Sequence, residues 1–211
     1  TMHPELDGLI DVCIEGGVSH VVLAGGLPAA ASIAKLKEAG IKVICFAPAL
    51  AIAKRLIRNG ADALVIEGAE AGGHIGPVAT SVLAQEILPH IADVPVFIAG
   101  GIGRGEAIVS YLEMGASGCQ LGTRFVCAEE CVAHPNFKKA FMRAQSRDAV
   151  VTAQFDSAFP VIPVRALANK GTQEFNELQL KLIHQVKEEG RDRKEALLEL
   201  EKFWVGSLKK A

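Results

Sequence analysis

Aromatic side chains are scarce in this 211-residue chain: nine Phe, one Tyr and one Trp. A core of this size must therefore be filled by aliphatic and small residues, as in α/β packing, where Val and Ile occupy strands and Gly opens turns. Cysteine is also sparse, with five residues, an odd count at scattered positions. That argues against a disulfide framework and for reduced thiols in a cytoplasmic compartment. Cys127 and Cys131 would share a face only if their segment were helical, and no further ligands are spaced to make a metal site with them. Charge of one sign is lacking as well. The net charge of −2 gives no basic footprint for nucleic acid. Apolar runs are broken by Gly, Pro or charge well short of the roughly 18 residues a membrane span needs. No basic stretch followed by an apolar core opens the chain, so no secretory leader is expected.

What is abundant is glycine, 21 residues, and its placement is regular. β-branched runs at Val18–Ala24, Lys42–Ala47, Ala63–Glu67, Val94–Ala99 and Gly118–Leu121 alternate with amphipathic segments at Pro28–Ala39, Ala49–Asn59, Ser81–Ile91 and Gly105–Met114. Gly40, Gly60 and Gly115 each follow a helical run where a left-handed cap is expected. A small turn then leads straight into the next apolar run. This repeated unit predicts parallel strands joined by right-handed crossovers, in an open doubly wound sheet or in part of a barrel.

From about Glu129 the pattern changes. His134–Gln145 reads as a helix, Ala149–Gln154 as extended, Pro160–Pro163 as loop, and Thr172–Lys210 as helix interrupted near Gly190. The expected organisation is a β/α region over residues 1–128 and a mostly helical appendage packed on it over 129–211.

Chemistry is concentrated just after the strands. In "FIAGGIGRGEA" a strand runs into Gly100 and Gly101, and a helix starts near Gly105. Paired glycines let backbone N–H groups approach a phosphate, and a helix start adds a favourable dipole. In "GCQLGTRF" another strand ends at Gly122 and Thr123. Two adjacent strand ends of this kind resemble the phosphate site of β/α barrels; tight turns without a ligand are the alternative. "GAEAGGHIGP" follows the third strand as a flexible loop and carries His74, an imidazole suited to proton transfer. Glu67, at a strand end, is a candidate acceptor for a ligand hydroxyl or ring N–H, and Glu70 is either a second acceptor or a solvated charge. Arg124 is a phosphate partner or a structural ion pair.

Taken together, "EGAEAGGHIG", "FIAGGIGRGEA" and "QLGTRFVCAEECVAHPNFK" resemble the nitronate monooxygenase (2-nitropropane dioxygenase) family and the related FMN-dependent enoyl-ACP reductase II. The resemblance reaches to about Asn169. It implies an α/β fold, a TIM (β/α)8 barrel of the FMN-binding type, of which about five β/α units are present. It implies His74 as the catalytic histidine, and cofactor contacts at Glu67, Gly72, Gly73, Gly100, Gly101, Gln120, Leu121, Gly122 and Thr123. Nitronate-oxidising members commonly carry Gln at the position of Glu67 and often Arg at that of Ile75; the enoyl reductase branch commonly carries Glu at the first. The expected activity is FMN-dependent oxidation of alkyl nitronates with O2. The alternatives are NAD(P)H-dependent reduction of an enoyl thioester and a non-catalytic flavin- or phosphate-binding fragment. A homodimer stays open, and no metal, nucleic acid or membrane partner is expected. The family's opening strands and closing segment have no counterpart here, so the chain is expected to be a fragment.

Overall fold

The computed structural model describes residues 5–161 and 163–207. The chain forms two compact units. One runs up to Ala71 and from Ile75 to Gly122; the other holds Gly72–His74 and the chain from Thr123 onward.

In the first unit, helix α1 (Leu6–Glu15) precedes strand β1 (His20–Leu23). Then α2 (Ala30–Glu38), β2 (Lys42–Phe46), α3 (Leu50–Arg58) and β3 (Ala63–Glu67) alternate. After an excursion into the second unit at β4 (Gly73–His74), the alternation resumes with α4 (Thr80–Ile87), β5 (Val96–Ala99), α5 (Gly105–Glu113) and β6 (Gly118–Gln120). The sheet order is β1-β2-β3-β5-β6, parallel throughout. A doubly wound sheet reverses its strand order at a switch point, and this one never does. Successive right-handed crossovers therefore lay the helices on a single face, as in a barrel. Burial agrees. Val43, Cys45, Leu64, Ile66, Val96 and Ile98 join one core cluster with Ile33, Leu36, Leu56, Leu83 and Ile87 of the helices. Strand residues of opposite parity, such as Val22 and Phe97, stay exposed or half-buried.

The expected caps have a common geometry. Gly40, Gly60 and Gly115 have φ of +77°, +102° and +101°. The next residue's amide reaches back to close each helix: Ile41 N to Leu36 O, Ala61 N to Leu56 O and Ala116 N to Tyr111 O, all at 3.0 Å. Ile41, Ala61 and Ala116 are buried, which supplies the apolar contact of this cap. Helix α1 ends the same way at Gly17 (φ +64°), with Val18 N donating to Cys13 O. This helix lies ahead of the first element expected from the sequence. Pro89 stops α4 at Ile87 and tightens Leu88–His90 into a 3₁₀ turn, so the helix expected to reach Ile91 is shorter.

One polar cluster ties α2 and β2 to the turn that precedes β3. Asp62 accepts from Lys37 Nζ at 2.6 and 2.7 Å, from Lys42 Nζ at 3.2 Å and from Val43 N at 2.8 Å. Burial opposes its ionisation, yet the lysines and the amide outweigh burial and hold the carboxyl below the ordinary range. Cys45 lies on β2 with no exposed surface, and burial pushes its thiol up to about 11.

In the second unit, α6 (Thr123–Val126) and α7 (Pro135–Arg143) lead to β7 (Ala149–Val151), β8 (Val164–Leu167), α8 (Lys170–Glu188) and α9 (Arg193–Ser207). The strands form an antiparallel sheet, β4-β8-β7. Phe159, Phe175, Leu182, Ala196 and Leu200 make a separate core. β8 is a strand the sequence reading did not assign. The break near Gly190 is present, whereas the expected end of the helix at Lys210 lies outside the described residues. Cys127 follows the end of α6 and Cys131 lies in non-helical chain, so the shared helical face does not form. Among the described residues no helix is long and apolar enough to cross a membrane, and no cluster of three or more metal-ligating side chains occurs.

A folded carboxyl that titrates below its unfolded value adds stability that is present at neutral pH and lost as pH falls through the folded pKa. Asp62→Ala is therefore expected to cost about 2 kcal/mol at pH 7, the scale of hydrogen bonds to a charged group. Urea unfolding of both proteins at pH 7 and at acid pH checks this, and the gap must narrow in acid.

Candidate functional site

The carboxyl ends of β3, β5 and β6 are aligned. Glu67 is opposite Ala99, and Ala99 is opposite Gln120, so the three residues form a row on one face of the sheet. The turns that follow in the first unit are neighbours for the same reason.

Two of these turns pack on each other. A Cβ at Gly100 would lie 2.9 Å from the Ala71 backbone, and one at Gly101 would lie 2.9 Å from Glu70 Cβ. Both glycines have positive φ, +94° and +71°. Their lack of a side chain is thus required by the fold alone. Ile102, next in the chain, is buried and anchors the turn. Among the described residues the amides of Gly101, Ile102 and Gly103 have no intrachain acceptor, so three donors are available at this strand end. Gly122 has a different status: a Cβ there meets nothing within 4 Å and its φ is not positive. Nothing in the fold demands glycine at that position. Leu121 packs against the core and Gln120 is exposed.

The turn after β3 is more ordered than its glycine content suggests. Ala69 N donates to Val78 O at 2.8 Å. A Cβ at Gly68 would meet Thr80 N at 2.4 Å. Glu70 is not a solvated charge. Its carboxylate accepts from Thr80 N at 2.8 Å and Thr80 Oγ1 at 2.9 Å, which caps the first turn of α4 and suits its dipole. Among the described residues Glu67 has no such partner, and burial pushes its carboxyl up from the usual carboxylate value. Tyr111 and Cys119 are close enough to this region that Glu70 and Cys119, after burial, raise the tyrosine hydroxyl.

In the second unit, His74 lies on a strand rather than on the flexible loop expected. Gly73 pairs with Arg165, and His74 with Val164. The imidazole is exposed, and a Cβ at Gly72 or Gly73 would meet nothing within 4 Å. Thr123 opens α6 and is exposed, as is Arg124. Two other histidines have local roles: His20 bonds Ser19 Oγ at 2.8 Å, and His134 Nδ1 accepts from Asn136 N at 3.2 Å to cap α7. Sequence reasoning missed Val164 and Arg165 as the partners that hold His74. The apolar alternation of "VRAL" after Pro163 is the signal that could have found them.

Strand order, single-sided helices and glycine turns at adjoining carboxyl ends define a segment of a β/α barrel, the class whose sites form at those ends. The family model for nitronate monooxygenase matches residues 5–202, and the chain belongs to that family. It is 33% identical over 178 residues to a probable nitronate monooxygenase of Staphylococcus saprophyticus, covering 80% of this chain and 49% of that one. It is 39% identical over 124 residues to a Rhodococcus jostii (3aS,4S,5R,7aS)-5-hydroxy-7a-methyl-1-oxo-octahydro-1H-indene-4-carboxyl-CoA dehydrogenase, covering 59% and 35%. The chain thus spans about a third to a half of the length of these relatives. Among solved structures, FabK from Thermotoga maritima superposes with a TM-score of 0.77 at 30% identity, covering 99% of this chain and 75% of that one. A nitroalkane oxidase from Streptomyces ansochromogenes gives 0.67 at 30% identity, covering 81% and 51%.

The glycines should separate by substitution. Gly68→Ala is expected to cost about 3 kcal/mol or more by overpacking backbone on backbone, while Gly122→Ala leaves the melting temperature within a degree or so of wild type. Glu67→Gln should stabilise at pH 7 and lose that advantage in acid, because a raised folded pKa favours the fold only where the carboxyl is protonated. Thermal melts across pH read both.

Proposed function

We propose that this chain carries the phosphate-binding strand ends and the acid/base histidine of an FMN-dependent oxidoreductase that oxidises alkyl nitronates with O2. The observation that carries the reading is the pair of turns after β5 and β6. Three backbone donors stand free at Gly101, Ile102 and Gly103, and Gly122 on the neighbouring turn is open where no fold constraint demands glycine. Amide donors suit a phosphate because they present positive dipoles without a counter-ion to displace. Gly100, Gly101, Gln120, Leu121, Gly122 and Thr123 would hold the phosphate end of the nucleotide. Glu67 would accept from a ring N–H or a ribityl hydroxyl, a contact that offsets the cost of its buried charge. Gly72 and Gly73 would allow close approach of the flat ring.

His74 would hydrogen-bond the substrate oxygens and move a proton there as the reaction proceeds. β4 limits its backbone freedom, so less orientation is lost on binding. When bound, the flavin supplies the electron transfer from the nitronate to oxygen. The family supports this reading. A second reading rests on Glu67 and Ile75, which resemble the enoyl reductase branch: hydride transfer from NAD(P)H to an enoyl thioester at the same site. Aerobic turnover of a nitronate without nicotinamide decides between them.

His74→Ala is expected to retain flavin and lose turnover on the order of 10²-fold, the scale of losing one acid/base group. Gly122→Val is expected to lose flavin on dialysis, because a branched side chain would occupy the phosphate approach. Flavin absorbance before and after dialysis, with kcat on the retained fraction, checks both. Colourless full-length protein that cannot be reconstituted with FMN overturns the reading.

A further inference from the structure

In the second unit a cavity of about 200 Å³ opens between α8 and the antiparallel sheet. Its sheet side is formed by Val150, Thr152, Val164 and Ala166, and its helix side by Phe175 and Asn176. Register fixes which face this is. Val150 is opposite Ala166, and Val164 is opposite His74. Directly paired residues in an antiparallel sheet point to the same side, and alternate residues along a strand share it. His74 therefore belongs to the sheet face that floors the cavity, one ladder position from Val164. The groove and the imidazole are two parts of one surface.

The lining defines the ligand. Val164 and Phe175 are largely buried, and Val150 and Ala166 add apolar surface. Thr152 Oγ1 is engaged, accepting from Val164 N at 3.0 Å. Asn176 is half-buried, and no hydrogen bond engages its carboxamide among the described residues, so it offers both a donor and an acceptor to a ligand. An apolar cleft with one convergent polar group is the usual form of a small-molecule site. At about 30 Å³ per water-sized group, 200 Å³ takes six or seven heavy atoms, below the roughly 300 Å³ where pockets for whole drug-sized ligands begin. The space suits one arm of a molecule.

We propose that this groove binds the short aliphatic tail of the substrate, a chain of about six heavy atoms bearing one carbonyl, amide or similar polar group for Asn176, with the reactive head directed along the sheet face to His74. The assignment rests on the proposed role of His74. It makes β7, β8 and α8 the elements that set chain-length preference.

The test has two arms on the full chain. In the first, valine and alanine methyl resonances are followed while hexanamide is added. Saturating shifts at Val150, Val164 and Ala166 are expected, abolished in Ala166→Phe and weakened in Asn176→Leu. Absence of saturating shifts in the wild type overturns the proposal. Asn176→Leu, on the helix surface, keeps the arm decisive if Ala166→Phe fails to fold, which a circular dichroism melt reveals. In the second arm, kcat/KM is compared for the nitronates of nitroethane and 1-nitrohexane, and for short and six-carbon enoyl thioesters with NAD(P)H. The six-carbon substrate is expected to be favoured about tenfold or more, with that ratio collapsing in the variant. A ratio that Ala166→Phe, or the smaller Ala166→Val where the first variant fails to fold, leaves unchanged overturns the assignment to substrate. Hexanamide binding with no turnover of either substrate class overturns the role of His74 and leaves the groove standing as a ligand site.

Discussion

The constraint from which the first unit follows is that every crossover returns the chain to the next strand in sequence. With parallel strands and right-handed connections, that rule leaves one place for the helices, a single face of the sheet. It also brings the carboxyl ends of β3, β5 and β6 side by side, because the register pairs Glu67 with Ala99 and Ala99 with Gln120. The turns that carry the glycines are neighbours as a consequence of strand order. No long-range side-chain contact is needed to assemble them. The helix exits enforce the rule locally: each left-handed glycine closes its helix and turns the chain into the following strand within two or three residues.

Much of this was legible because its causes are local. In "ALVIE" the first four residues are apolar and buried, as a strand covered on both faces must be, and the strand's bounds agree with the reading. The other strands fall short of their apolar runs by one to three residues, since pairing and not composition sets where a ladder ends. Three glycine caps were visible at once. The fourth, at Gly17, has the same geometry, but α1 contributes only Ile10 as a fully buried residue and gives a weaker pattern. β4 was beyond reach: two residues, one of them glycine, are a strand only because Val164 and Arg165, some ninety positions away, supply the partner.

The candidate site divides in the same way. That Gly100, Gly101 and Gly122 are glycines is plain in the sequence; why they are is not. The first two face backbone or a side-chain stem of the 70–71 turn, whereas the third faces open space. Only the packing of one turn on another distinguishes a glycine that the fold requires from one that it merely permits. Glu70 makes the same point about charge. Its sequence neighbours are Gly and Ala, as in an open loop, and its capping of Thr80 depends on a ten-residue loop closing on itself.

The thiol of Cys45 has a further use. It is shut inside the central sheet and held in its protonated form by that enclosure, so an alkylating reagent can reach it only when β2 parts from its neighbours. The rate at which this one sulfur becomes modified is then a stopwatch on the opening of the sheet itself, with no probe added to the protein.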